Sequence, residues 1–94
     1  MADGSQIRCE VCYSGTVQGV GFRYNARHIA RGYKVTGWVR NLPSGQVRLV
    51  AEGERSEVEK FLASVADSMS GNIEHTEMAT TPATGEYASF EINK

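Results

Sequence analysis

One glycine-rich stretch of the sequence, residues 15–23, has the residue types of an anion-binding site. It contains three glycines, and Arg23 follows the last of them by two positions. Glycine tolerates positive φ and lets the backbone approach a ligand closely, so that successive N–H groups can form a concave nest around an anion. A helix that begins after Gly21 would point its unpaired N–H groups and its positive dipole end into the same space, where Arg23 could donate two hydrogen bonds to phosphate oxygens. The stretch is sized for one phosphate-like group.

Two nucleotide-binding motifs that are built on glycines do not fit this stretch. A Walker loop counted from Gly15 has Val20 at the position of its second glycine, and no lysine lies nearby. A dinucleotide fingerprint fits Gly19 and Gly21 but has Tyr24 in place of its third glycine. The residues alone leave two interpretations open, a phosphate site and a simple turn between two elements.

The elements that must position this stretch alternate between strand and helix periodicity. In chain order they are a strand over 7–14, a helix over 22–31, strands over 34–41 and 46–53, a helix from Ser56 to Gly71, and strands over 73–79 and 87–93. Ser56 with Glu59 three residues later predicts a capping box at the start of the second helix. The order β-α-β-β-α-β with one further strand predicts an α+β fold, the ferredoxin-like sandwich, in which an antiparallel sheet with a fifth C-terminal strand carries two helices on one face.

Two stretches of the sequence resemble the two signatures of the acylphosphatase family. Residues 15–23, GTVQGVGFR, are similar to the family's G-x-V-Q-G-V-G-F-R, and residues 37–45, GWVRNLPSG, are similar to its G-W-V-x-N-x-x-x-G. The spacing between the two signatures and the last strand also fit, so the likeness extends from about residue 7 to residue 93. It implies an enzyme that hydrolyses acyl phosphates to a carboxylate and inorganic phosphate, with an acylphosphatase-like domain over 7–94. The polar start of the sequence predicts a flexible tail over 1–6.

The resemblance also implies roles for individual residues. Arg23 and Asn41 would be catalytic, since Arg23 would bind the phosphoryl group and Asn41 would orient the attacking water. The resemblance implies that neither a metal nor a cofactor is used. The residues that it assigns to substrate binding, mainly through their backbone N–H groups, are Gly15, Gln18, Gly19, Val20, Gly21 and Phe22. Whether Tyr24, Arg27 or Trp38 also touches the substrate stays open.

Two other functions are compatible with the same topology. A module of this family could bind a phosphate compound with little turnover or act on carbamoyl phosphate, but the presence of both Arg23 and Asn41 favours the hydrolase. A single-stranded RNA binder would need exposed aromatic side chains on its central strands and a basic face. The first strand offers only Tyr13, which we expect on the core side, and the net charge of the chain is −1.

Composition and charge limit the class of protein. The chain has 94 residues, of which 40% are hydrophobic, and this length predicts one domain. No apolar run exceeds three residues, so no transmembrane helix is expected, and the polar start predicts no secretory leader. Residues 1–48 hold seven basic and two acidic side chains, whereas 49–94 hold three and nine. We therefore expect a soluble, cytoplasmic monomer that binds a small anionic ligand and no nucleic acid.

The cysteine and histidine residues predict no redox or metal chemistry. Cys9 and Cys12 lie in a strand pattern, which places them on opposite faces about 10 Å apart at ~3.3 Å per residue. A disulfide needs Cα atoms closer than about 7 Å, and no second cysteine pair or histidine pair could complete a zinc site. One core thiol and one surface thiol are predicted. His28 and His75 are predicted to be exposed side chains without a catalytic role.

Overall fold

The computed structural model describes residues 5–93 of the chain. Its elements, in chain order, are β1 (Gln6–Gly15), α1 (Phe22–Ala30), β2 (Thr36–Asn41), β3 (Val47–Glu54), α2 (Arg55–Ser68), β4 (Ile73–Pro82) and β5 (Phe90–Ile92). The strands form one sheet in the order β4-β1-β3-β2-β5. The helices contact each other, with α1 against β2 and β5 and α2 against β1 and β3. The ferredoxin-like α+β sandwich predicted from the sequence is confirmed.

The side-chain alternation along β1 sets the core face of the sheet. Cys9, Val11 and Tyr13 are buried, whereas the residues between them are only half-buried. Both thiols are free, and Cys12 lies on the opposite face from Cys9, as the strand pattern predicts. The helices cover the buried face with the apolar positions that their periodicity predicts: Phe22, Ala26 and Ala30 from α1, and Val58, Phe61 and Val65 from α2. Within the described residues, no helix is long and apolar enough to cross a membrane.

One strand pair departs from the antiparallel sheet that the sequence predicts. β1 pairs antiparallel with β3 and β4, and β3 pairs antiparallel with β2. β5 instead pairs in parallel with β2, from Gly37–Phe90 to Val39–Ile92. The chain leaves β4 at one edge of the sheet, reverses, and returns along the other edge. Since β2 also runs opposite to β4, a strand that reverses after β4 must lie parallel to β2.

The boundaries of the last two strands differ from those predicted. β4 continues to Pro82, and β5 is limited to Phe90–Ile92. The residues before β5 are held outside the ladder by side-chain contacts. The hydroxyl of Tyr87 accepts hydrogen bonds from Arg8 (3.0 Å) and from the indole N–H of Trp38 (3.2 Å). The segment that was expected to begin the last strand therefore packs against the face of the sheet away from the helices.

The second helix begins without the capping box that the sequence predicts. Glu54 is the N-cap, Arg55 is the first helical residue, and no side chain caps the helix. The helix follows β3 directly with no intervening loop. Ser56 is therefore already inside the first turn and cannot occupy the N-cap position. Of the predicted tail over 1–6, residues 1–4 lie outside the described residues, and the backbone carbonyl of Ser5 accepts a hydrogen bond from the N–H of Arg55.

A buried carboxylate fixes the connection between β4 and β5. Glu52, only 3% exposed, accepts hydrogen bonds from the N–H groups of Thr84 (3.1 Å) and Gly85 (2.9 Å), from the Thr84 hydroxyl (2.8 Å) and from Arg8 (3.2 Å). Burial alone would raise the pKa of Glu52, but these hydrogen bonds outweigh burial and hold that pKa below its usual value. Glu52 lies near the end of β3 that is remote from the glycine-rich stretch. It stabilises the sheet without taking part in the candidate site.

Candidate active site

A pocket of about 200 Å³ lies at the glycine-rich loop that connects β1 to α1. Its walls come from this loop, from the first turn of α1 and from the end of β2. The lining residues are Val17, Gly19, Gly21, Phe22, Arg23, Tyr24 and Asn41. Among the described residues, Arg23 is the one charged residue that lines the pocket, and no carboxylate does. The two residues predicted to be catalytic, Arg23 and Asn41, are therefore brought into the same pocket by the fold.

The conformation of the loop depends on two glycines in the left-handed region. Gly19 has φ 77° and Gly21 has φ 79°, values that L side chains rarely adopt. Gly21 is the N-cap of α1, and the next residue, Phe22, is buried against the ring of Tyr13 with centroids 4.9 Å apart. This contact anchors the start of the helix to β1. Burial raises the pKa of Tyr13, so the phenol beneath the loop stays neutral.

The backbone N–H groups around the pocket are available to a ligand. The Thr16 N–H donates to the Asn72 carbonyl (3.0 Å), but the N–H groups of residues 17–21 make no hydrogen bond within the described part of the chain. No side chain of residues 5–93 caps α1, and the first backbone bond of the helix runs from the Asn25 N–H to the Gly21 carbonyl (2.9 Å). The N–H groups of the first helical turn are consequently unpaired as well. Together with the positive end of the helix dipole, these N–H groups favour the approach of an anion.

The side chains of Arg23 and Asn41 are also without partners in the described part of the chain. Both residues are half-buried, and neither side chain makes a hydrogen bond or an ion pair with another residue of the described range 5–93. An arginine held in a pocket with no acidic neighbour attracts an anion, and its fork can contact two oxygens of one phosphate. A primary amide can both donate to and accept from a ligand or a water. The pocket therefore combines a cationic side chain with a neutral polar group.

The strand end that carries Asn41 is held by the tight turn between β2 and β3. The Leu42 N–H donates to the Gln46 carbonyl (2.8 Å), and the Gly45 N–H donates to the Leu42 carbonyl (3.1 Å). The side chain of Gln18, in the glycine-rich loop, donates to both of those carbonyls, at 2.8 Å to Leu42 and 2.9 Å to Gln46. The loop and the turn are thus linked directly by hydrogen bonds.

Only some of the residues that the resemblance assigns to substrate binding line the pocket. Gly19, Gly21 and Phe22 line the pocket, whereas Gly15, Gln18 and Val20 do not. A Cβ atom on Gly15 would overlap the Asn72 carbonyl oxygen, so close packing of β1 against the start of β4 requires glycine there. Binding of substrate by the backbone of these residues stays a prediction.

Two lining residues, Val17 and Tyr24, were not among the predicted site residues. Whether Tyr24 touches the substrate is open from the sequence; the structure places this residue at the pocket, with 70% of its surface exposed. The sequence could have indicated this place for Tyr24, because the residue directly follows Arg23 in the first turn of the predicted helix. Arg27 does not line the pocket, and Trp38 packs against Tyr87 on the other face of the sheet. The two histidines are exposed, as predicted, and neither lies at the pocket.

Comparison with known proteins identifies the family. The acylphosphatase family model matches residues 9–92. An acylphosphatase from Roseiflexus sp. (strain RS-1) is 44% identical over 86 residues, which cover 90% of this chain and 92% of that protein. The crystal structure of acylphosphatase from Bacillus subtilis superposes with a TM-score of 0.84 at 26% identity, covering 94% of this chain and 99% of that one. T. kodakarensis HypF matches with a TM-score of 0.78 at 26% identity, covering 92% of this chain but 12% of the longer one. The chain therefore belongs to the acylphosphatase family of hydrolases.

Proposed function

We propose that the chain hydrolyses acyl phosphates to a carboxylate and inorganic phosphate in the pocket at the glycine-rich loop, without a metal. The observation that carries the proposal is that Arg23, Asn41 and loop residues whose N–H groups are unpaired within residues 5–93 line one pocket. Membership of the acylphosphatase family supports the choice of reaction. The chain would hold the phosphoryl group with the loop and orient the nucleophile with Asn41.

The phosphate-binding role rests on charge and on donor geometry. Within residues 5–93, the N–H groups of residues 17–24 and the guanidinium of Arg23 are donors without acceptors. The phosphoryl oxygens of an acyl phosphate would supply those acceptors. Preorganised donors stabilise the charge that spreads over these oxygens in the loose transition state of phosphoryl transfer. Arg23 and the loop would therefore bind the transition state as well as the substrate.

The proposed role of Asn41 is to position water for attack on phosphorus. Its side-chain oxygen can accept a hydrogen bond from the water, and an amide does not titrate near neutral pH, so it would not act as a base. The water oxygen forms the new bond to phosphorus, and the bond from phosphorus to the acyl oxygen breaks with its electron pair on the carboxylate. The proton released by the water passes to a phosphoryl oxygen of the substrate. A strong base is unnecessary because a carboxylate leaves readily from a mixed anhydride.

Metal independence is part of the proposal. Within residues 5–93, no carboxylate, histidine or cysteine lines the pocket, and these side chains form no group of three that could hold an ion. Mg²⁺ is usually held by carboxylates together with substrate phosphates. Here the positive charge that a metal would bring near the phosphoryl group would come from Arg23 and the N–H groups.

The alternative function is binding of a phosphate compound with little turnover, or action on carbamoyl phosphate. The phosphate contacts would be the same in each case, so these functions differ in turnover and in the acyl group. Asn41 favours hydrolysis, because an unpartnered amide in the pocket can hold a nucleophilic water. The monomeric state, the cytoplasmic location and the absence of a nucleic-acid partner stay predictions from the sequence.

The test is hydrolysis of benzoyl phosphate by the purified protein in the presence of EDTA, beside the Arg23→Ala variant. Turnover that survives EDTA and is lost in the variant is expected. Turnover that requires Mg²⁺ would contradict the metal-free reaction. Absence of turnover in folded protein, with carbamoyl phosphate measured in parallel, would favour the alternative, and stabilisation of the fold by inorganic phosphate would then show whether the pocket binds anions.

A further inference from the structure

The side chain of Gln18 bridges the phosphate-binding loop and the turn that follows Asn41. Its Nε2 atom lies 2.8 Å from the Leu42 carbonyl oxygen and 2.9 Å from the Gln46 carbonyl oxygen. A primary amide nitrogen carries two protons, so both of its donors are used. The flipped amide would place its oxygen against two carbonyl oxygens, which excludes that orientation on electrostatic grounds. The side chain has one favourable orientation and acts as a two-point link.

The two acceptor carbonyls flank the strand end on which Asn41 lies. Leu42 follows Asn41 directly, Gln46 precedes Val47, and Asn41 and Val47 are the last partners in the ladder between β2 and β3. On the other side of the link, Gln18 is adjacent to Gly19, which lines the pocket. The two hydrogen bonds therefore connect one wall of the pocket to the other through a single half-buried side chain.

We propose that Gln18 is a positioning residue whose carboxamide holds the Asn41 side chain at a set distance from the phosphate-binding loop. This inference rests on the proposed function and assigns a role to the side chain beyond the backbone contact that the family resemblance implies. In-line attack requires the water held by Asn41 to approach phosphorus opposite the leaving carboxylate. A displacement of about 1 Å can reduce turnover by about 100-fold. Loss of the link would thus lower kcat while the phosphate contacts of Arg23 remain.

The first test is the Gln18→Met variant, which keeps the length of the side chain and the backbone N–H but removes both donors. With benzoyl phosphate we expect kcat to fall by about 10- to 100-fold. The KM and the inhibition constant of inorganic phosphate should change by less than about threefold, because ground-state phosphate binding is retained. A variant with the kcat of the wild type would overturn the proposal, and so would a loss confined to KM.

Gln46→Met is the matched control, because the same substitution there acts on the other side of the link. The Gln46 side chain donates to the Ser14 hydroxyl (2.9 Å), whereas it is the Gln46 backbone carbonyl that accepts from Gln18. The Gln46 side-chain oxygen also accepts a hydrogen bond from the Ser44 hydroxyl (2.9 Å). The control therefore removes two side-chain hydrogen bonds of Gln46 and leaves both bonds of Gln18 in place. We expect a smaller fall in kcat than in Gln18→Met. An equal fall would mean that general loosening of the turn, and not the Gln18 link, determines turnover.

A double-mutant cycle with Asn41→Ala tests whether Gln18 acts through Asn41. If it does, adding Gln18→Met to Asn41→Ala should lower kcat by less than about twofold further. Multiplicative losses would show that Gln18 acts independently of Asn41 and would overturn the inference. The cycle also separates the two proposals. A wild type without turnover refutes the proposed function, whereas an active wild type that is impaired by Asn41→Ala but not by Gln18→Met refutes only this inference.

Gln18→Glu gives a second variant in case the methionine variant folds poorly. Its carboxylate would face two carbonyl oxygens without a proton to donate, whereas the protonated carboxyl could restore one hydrogen bond. The ratio of its kcat to that of the wild type should therefore rise as the pH falls toward the pKa of the introduced carboxyl. A ratio that does not change with pH would contradict the hydrogen-bonding role, since a purely steric role gives no such dependence.

Discussion

Removal of the Arg23 guanidinium is the sharpest perturbation of the proposed phosphate site. A hydrogen bond to a charged group contributes about 1.5–3 kcal/mol, so the two bonds of a guanidinium fork contribute about 3–6 kcal/mol. At about 1.4 kcal/mol per tenfold change, this corresponds to a loss of about 10²- to 10⁴-fold in kcat/KM. Arg23 is only half-buried, and water weakens its interaction. We therefore expect Arg23→Ala to lose about 10²- to 10³-fold, in the lower part of that range.

The same substitution should leave the fold intact. The Arg23 side chain has no hydrogen-bond or ion-pair partner among residues 5–93, so its removal leaves no buried group unsatisfied. The free energy of unfolding should change by less than about 0.5 kcal/mol, as for most surface substitutions. Arg27→Ala is the matched control, because Arg27 lies one turn further along α1, is also half-buried and does not line the pocket.

The assay is steady-state hydrolysis of benzoyl phosphate, with inhibition by inorganic phosphate and urea unfolding measured on the same preparations. We expect the inhibition constant of phosphate to rise together with the loss of kcat/KM in Arg23→Ala and to stay near the wild-type value in Arg27→Ala. Equal losses in the two variants would show that net charge, and not the position of Arg23 in the pocket, attracts the substrate. A stable Arg23→Ala variant with near wild-type kcat/KM would refute the assignment of the phosphate site.

Three further predictions concern other parts of the molecule. Because the pKa of Glu52 is lowered in the folded state, the ionised carboxylate contributes stability above about pH 4.5, and this contribution is lost as the pH falls below that value. In urea unfolding from pH 7 to pH 3, the acid-induced loss of unfolding free energy should be smaller in Glu52→Gln than in the wild type. Gly15→Ala should lower the melting temperature more than Gly19→Ala, because a Cβ atom at Gly15 would overlap backbone atoms, whereas at Gly19 the cost is only the strain of positive φ. Equal losses of melting temperature would contradict the close-packing explanation. Tyr24→Ser should raise the KM for benzoyl phosphate by about 3- to 10-fold and the KM for acetyl phosphate by less, because an exposed aromatic side chain at the pocket can cover an apolar acyl group. An equal change in KM for both substrates would show that Tyr24 does not recognise the acyl group.

Local periodicity accounts for most of what the sequence could predict about the fold. Alternating burial along β1 and the apolar faces of the two helices depend on side chains a few residues apart, so a single segment contains the whole signal. The same holds for the glycine-rich loop and Arg23, which lie within nine consecutive residues. The boundaries at Ser56 and at β5 were wrong because each depends on contacts from elsewhere. β3 leads directly into α2, and Tyr87 is held by Arg8 and Trp38.

The sequence by itself determined the fold class; it also predicted a phosphate-like ligand at the loop and, through the resemblance, the choice of Arg23 and Asn41. Only the tertiary structure decided that β5 lies parallel to β2 and that Glu52 holds the preceding connection. It also decided that the Gln18 side chain joins the loop to the turn after Asn41. The physical reason is that these features join residues far apart in the chain. Hydrogen-bond partners at such separations depend on how strands and loops are brought together in space, so no local pattern of residue types predicts them.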